Sequence, residues 1–181
     1  MLLALAGSAC RGSGAHAAPP STTTSTGSSP LNKVDKPADV KSLLALRALH
    51  RSDLLSQLQL APGDVRNDVS YQKLQGLSRL HNAAVYPAHF YLRGEQLEVV
   101  YIGNAEFLSA LSPAAIRKEL GGDGTRLRSR AGKTANQHVY PESGFAFSES
   151  GGALDFVEIF RPTSLDGYRA SIYEDPGAFI K

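Results

Sequence analysis

Between residues 85 and 160 the apolar positions fall into two similar phrases. The first opens with Val85-Tyr86-Pro87, runs through Phe90-Tyr91-Leu92, turns at Gly94 and closes on Leu97-Glu98-Val99-Val100-Tyr101-Ile102. The second opens with Val139-Tyr140-Pro141, runs through Phe145-Ala146-Phe147, turns at Gly151-Gly152 and closes on Leu154-Asp155-Phe156-Val157-Glu158-Ile159. Apolar runs of strand length on either side of glycine turns predict two β-hairpins.

Each hairpin follows a helical phrase. Leu49, Leu54, Leu55 and Leu58 match Leu111, Ala115, Ile116 and Leu120, the stripe of a short amphipathic helix. Ser112 before Pro113 predicts an N-cap with proline at the first helical position, and Gly121-Gly122 predicts the stop. The offset between copies changes from 54 at Val85/Val139 to 57 at Leu97/Leu154. The length differences therefore fall in connections, where extra residues add little closure entropy. The expected fold class is α+β, an antiparallel sheet made of two similar helix-hairpin units with the helices packed on one face. The units span about residues 48–102 and 110–160, giving four strands.

Outside the repeat, residues 39–60 carry a broad leucine face that predicts a helix broken near His50-Arg51-Ser52, with Ser52 capping the second piece. Tyr71, Leu74, Leu77 and Leu80 have helical spacing over residues 69–80, and residues 121–137 read as a long glycine-rich loop. Ser164 is the expected cap of a last helix carrying Leu165, Tyr168, Ile172 and Tyr173, with Asp175-Pro176-Gly177 as its stop.

The first residues read differently. Residues 1–9 are apolar and end in small residues, and Cys10 follows. This resembles the end of a bacterial lipoprotein signal peptide, in which the cysteine thiol is lipidated. The apolar run is short and has no Lys or Arg before it, so residues 1–10 are read as a truncated signal with an upstream start. Residues 11–31 are rich in Gly, Ser, Thr, Ala and Pro and read as a disordered tether. At random-coil dimensions about 20 such residues reach on the order of 25 Å. Residues 32–181 remain as a single α+β domain with its C-terminal helix. In the lipoprotein class, Arg11 rather than Asp after the cysteine implies the periplasmic face of the outer membrane, with acyl chains supplying the anchor.

Composition narrows the field. The chain has 181 residues, 42% hydrophobic, with net charge +2, one Cys and no Trp. One cysteine forbids an internal disulfide, and so mild a charge gives no argument for nucleic acid. No apolar run reaches the roughly 18 residues of a membrane span.

Candidate chemistry is sparse. Gly132-Lys133-Thr134 imitates a phosphate loop, but position 127 is Leu where a glycine is needed to cradle the phosphate. His81, His89 and His138 lie near the two hairpin entries, and His89 and His138 would approach if the copies packed side by side, yet nothing around them has metal-ligand spacing. No serine sits in a nucleophile elbow. The expectation is a non-enzymatic protein with no catalytic residue, metal or cofactor. Its candidate partner-binding residues are Arg126, Arg128, Arg130 and Lys133, which face an anionic partner, and the recurring Tyr86 and Tyr140.

The helix, loop and hairpin order with an L-[DE]-x-V-x-I closing strand is similar to the small periplasmic units of outer-membrane lipoproteins. These include the small lipoprotein of the β-barrel assembly machinery and, when duplicated, the β-lactamase-inhibitor-like fold. The resemblance covers roughly residues 48–160 and carries no site residues across. It implies an envelope lipoprotein that binds a protein partner, in outer-membrane assembly or maintenance. The alternative is a periplasmic inhibitor or immunity protein that blocks an enzyme or toxin through the 121–137 loop, and a third reading is a hydrolase.

Overall fold

The computed structural model describes residues 39–68, 71 and 73–179; Cys10, the tether and Ile180 lie outside the described residues. The chain forms α1 (Val40–Ala45), α2 (Arg51–Gln57), β1 (Arg66–Asp68), β2 (Leu77–Asn82), β3 (Tyr86–Arg93) and β4 (Gln96–Ile102). There follow α3 (Ala105–Leu108), α4 (Pro113–Leu120), β5 (Thr125–Arg128), β6 (Asn136–Tyr140), β7 (Phe145–Ser150), β8 (Ala153–Phe160) and α5 (Leu165–Ser171). The fold is α+β, with an eight-stranded sheet in the order β1-β2-β3-β4-β8-β7-β6-β5 and every pairing antiparallel.

Local chemistry explains most boundaries. Asp39 accepts from Ser42 N at the start of α1, Ser112 from Ala115 N at α4, and Ser164 from Gly167 N at α5. Glu119 of α4 also accepts from Val40 N and Lys41 N, so a carboxylate meets the positive end of α1. The break in the first helical stretch falls at Leu49-His50, but Ser52 does not cap. The Asp53 side chain instead takes the His50 N–H. Gly151 and Gly152 have φ of 58° and 82°, and both central positions of a tight hairpin turn need such values.

The two four-strand meanders, β1–β4 and β5–β8, join where β4 pairs with β8. Val100 faces Ile159, Tyr101 faces Glu158 and Ile102 faces Val157. Shifted by 57, the distance from Leu97 to Leu154, these pairs map onto one another, with Tyr101/Glu158 at the centre. The seam is therefore self-complementary. Strand pairs of this kind carry their stability in facing side chains, here mostly β-branched.

Four expectations are corrected. The sheet has eight strands, not four: β1 lies just before residues 69–80, β2 begins within them, and β5 and the start of β6 lie within residues 121–137. Helices cover both faces. Val40, Leu43, Leu54, Phe107, Leu108 and Ile116 from α1–α4 pack with Phe90, Phe147 and Val157, whereas Tyr168 of α5 and Ile172 at its C-cap pack on the other face with Tyr91, Val99 and Phe160. β7 and β8 are buried on both sides, so a one-sided helical layer would leave Ala146, Phe160 and their neighbours in water. The Val-Tyr-Pro phrases differ in place: Tyr86 opens β3, while Tyr140 closes β6 and Pro141 starts a 3-10 turn. Pro87 instead falls at the irregularity between β2 and β3, where the missing donor is tolerated. Finally, His89 pairs with Tyr101 on the α5 face and stacks on His81 at 3.9 Å, while His138 pairs with Phe147 on the other face, so the two do not meet.

Candidate functional site

β5 ends the sheet, and a cleft of about 1550 Å³ lies beside it. One wall is β5 and the loop after it, with Arg126, Leu127, Arg128, Ser129, Arg130 and Lys133. The other is the end of α5 and the chain beyond it, with Arg169, Tyr173, Asp175 and Pro176. Lys73 closes one side, its ammonium donating to the Arg169 and Tyr173 carbonyls at 2.7 and 2.6 Å. Those carbonyls sit at the negative end of α5, where a cation is favoured.

The lining thus carries six cations and one carboxylate, that of Asp175. Among the described residues, Arg126, Arg128, Lys133 and Arg169 make no ion pair. Arg126 donates from Nε to the Asn136 side-chain oxygen at 2.8 Å, a neutral partner that leaves its charge unbalanced. Arg126 and Arg128 are exposed and alternate along β5 with the half-buried Thr125 and Leu127. Concave walls of one charge sign raise the local concentration of anions.

Arg130 behaves differently. It turns inward and donates to Glu158 at 2.9 Å, with its guanidinium about 5 Å from the Tyr71, Tyr101 and Phe156 ring centres. Glu158 is 1% exposed. Its Oε1 accepts from Arg130 and from the Tyr71 hydroxyl at 2.9 Å, its Oε2 from the Tyr168 hydroxyl at 2.6 Å and Gln137 Nε2 at 3.2 Å. Burial, then the Glu158 charge, pushes the Tyr71 and Tyr168 hydroxyls well above the usual tyrosine range, so both stay protonated donors. Burial alone would lower the Arg130 pKa, but Glu158 and then Tyr71 outweigh it and the net direction is up. With both oxygens taken by donors, Glu158 is placed to hold the cleft wall rather than to accept a proton from a substrate.

A second cluster sits on the opposite face. His138, 6% exposed, has Nδ1 2.8 Å from the Asp123 carbonyl and Nε2 3.1 Å from Glu149 Oε1. Arg117 donates to the same Glu149 oxygen and pairs with Asp123 at 3.1 Å. This cluster fastens α4 to β6 and β7. Among the described residues no group of three or more His, Cys, Asp and Glu could hold a metal ion.

Of the residues singled out from sequence, Arg126, Arg128, Arg130 and Lys133 come together, and Arg130 alone is engaged from behind. Tyr86 and Tyr140 do not reach the cleft. Tyr86 is 6% exposed and packs edge-on to Phe107 at 5.0 Å; Tyr140 is 7% exposed and donates to the Gly122 carbonyl at 2.6 Å. Side chains so enclosed offer no rim to a partner. Lys73, Arg169 and Tyr173 were missed because chain distance hides them. Glu158 left one signal, a carboxylate set between the apolar Val157 and Ile159. Among the described residues no helix is long and apolar enough to cross a membrane. No family model, curated protein or solved structure matches this chain.

Proposed function

We propose that the chain is a non-enzymatic envelope lipoprotein, anchored by acyl chains on Cys10 at the periplasmic face of the outer membrane, that binds a protein partner. The observation that supports binding is the cleft beside β5, where Arg126, Arg128, Lys133 and Arg169 make no ion pair among the described residues. Charge alone gives steering and specificity more than affinity, so the partner must present a complementary acidic surface. The anchor reading rests on the residue types of the first ten positions.

We also read the two meanders with their preceding helices as descendants of one unit. The repeated order of elements and the self-complementary seam support this. Superposition of β3–β4 on β7–β8 should be best with Leu97 on Leu154; a best fit in another register refutes common descent.

Two experiments test the function. Radiolabelled palmitate should enter the full-length precursor and be lost in Cys10→Ala; equal labelling removes the anchor. A photo-cross-linker placed at Lys133 in intact cells should capture a partner, and capture should fall when Arg126 and Arg128 are both changed to Glu. Undiminished capture removes the cleft from the binding surface.

A further inference from the structure

We propose that the cleft receives an extended acidic peptide that pairs with β5 as a ninth strand, an inference resting on the binding role given above. β5 is an end of the sheet, and among the described residues no strand occupies its outer side. The Arg128 carbonyl is turned outward, where it accepts from the Tyr173 hydroxyl at 2.9 Å. In an antiparallel strand the N–H and C=O of one residue point the same way and successive residues alternate. Arg126 therefore presents its own backbone donor and acceptor on the cleft side. An arriving strand would find a ladder to extend.

The side chains select what arrives. Arg126 and Arg128 are two positions apart, roughly 6.6 Å along a strand, the spacing of alternate residues on a paired neighbour. Acidic residues at alternate positions would oppose them, and facing charges of opposite sign stabilise a cross-strand pair. Lys133 and Arg169 border the same path, and Leu127, Ala135 and Tyr173 give apolar lining between the charges. A second copy of this chain does not fit: β5 against β5 would set arginine facing arginine, which repels. Charges on an outer strand also keep it from pairing with itself, so one pair of arginines excludes like strands and admits acidic ones. A phosphate or lipid headgroup would use the charge but not the outward backbone groups. Strand addition with alternate side chains giving selectivity is a recurrent mode of peptide recognition.

The test uses the purified full chain and a fluorescein-labelled synthetic heptapeptide of alternating Glu and Val. Its control has the same sequence with N-methyl groups on the amides that would face β5. Anisotropy should show binding of the first peptide, and the control should bind about tenfold or more weakly, as expected for losing two backbone hydrogen bonds. Arg126→Glu with Arg128→Glu, its fold checked by circular dichroism, should lose the acidic peptide and bind a Lys-for-Glu version instead. Hydrogen exchange at residues 126 and 128 should slow only with the unmethylated peptide. Equal binding of both acidic peptides overturns strand pairing while leaving a charged partner in the cleft. Binding to phosphatidylglycerol vesicles with no peptide binding overturns the peptide in favour of a lipid surface. Binding to neither overturns strand pairing, and the cleft's binding role is then decided separately by the Lys133 cross-link.

Discussion

Replacing Glu158 with Leu keeps most of the side-chain volume and removes the acceptor of four hydrogen bonds. The consequences can be followed donor by donor. Tyr71, 2% exposed, loses the carboxylate, and an unsatisfied buried hydroxyl costs about 1–3 kcal/mol. Tyr168 and Gln137 keep each other at 2.6 Å and lose less. Arg130 loses its counter-charge; breaking a buried pair from one side costs about 3–5 kcal/mol. The Arg130 side chain is 25% exposed and can turn into the cleft, which holds its share near the lower limit, about 3 kcal/mol, and with Tyr71 places the total at about 4 kcal/mol. Domains of this size shift by a few degrees per kcal/mol, so the thermal midpoint should drop by roughly 10 °C. Urea titration followed by circular dichroism measures it, since the chain has no Trp to report by fluorescence. The double variant with Arg130→Met should recover much of the loss, because it removes the stranded cation. A loss below about 1 kcal/mol, or additive losses in the double variant, would mean water solvates the cluster and the reasoning fails.

Two further outcomes follow from local geometry. Burial pushes the Tyr86 hydroxyl from 10.0 up to about 12. The unfolded chain ionises first, so this stability is whole below about pH 10 and is lost as pH rises through about 12, amounting to about 2–3 kcal/mol in all. Tyr86→Phe should match the parent near pH 9 and exceed it by about 1 kcal/mol near pH 11 in urea titrations; parallel curves would refute the assignment. Gly144 has φ of 66°, and a Cβ there would collide with the Phe160 carbonyl oxygen and crowd the Arg47 guanidinium. Gly144→Ala should cost more than about 2 kcal/mol, the left-handed strain alone being about 1–2; a change within about 0.5 kcal/mol, as at an ordinary surface site, would show that the turn yields freely.

What could be read in advance was whatever local chemistry decides. Ser112-Pro113, Gly151-Gly152 and the alternation through Leu97 and Leu154 each act within a few residues, and the helix α4 and both hairpins lie where those signals put them. β2 was misread because Tyr71, Leu74, Leu77 and Leu80 are three apart, a spacing that suits a helix. In the fold Tyr71, Leu74 and Leu77 cover the α5 face while Leu80 crosses to the other. β6 was hidden because its polar residues are satisfied by partners outside the strand, Gln137 by Tyr168 and Glu158 and His138 by Glu149 and Asp123, and β5 because Arg126 and Arg128 are exposed on a short edge strand with no apolar run. Half of the cleft was visible as the run of basic residues on one segment. Lys73 and Arg169 join it only through packing, and the inward turn of Arg130 depends on a carboxylate 28 positions away.

Among the described residues β8 is the last strand, yet it lies near the middle of the sheet, against β4. A chain that emerges N-terminus first delivers β1 to β4 first, and the side of β4 that β8 will cover then stays open until Phe160 has emerged. During that interval Val99, Val100 and Ile102 sit on a bare apolar strand edge, the kind of surface that nascent chains use to aggregate. The time taken for residues 103–160 to emerge, and any chaperone that shields β4 meanwhile, should therefore influence how much of this protein is recovered folded.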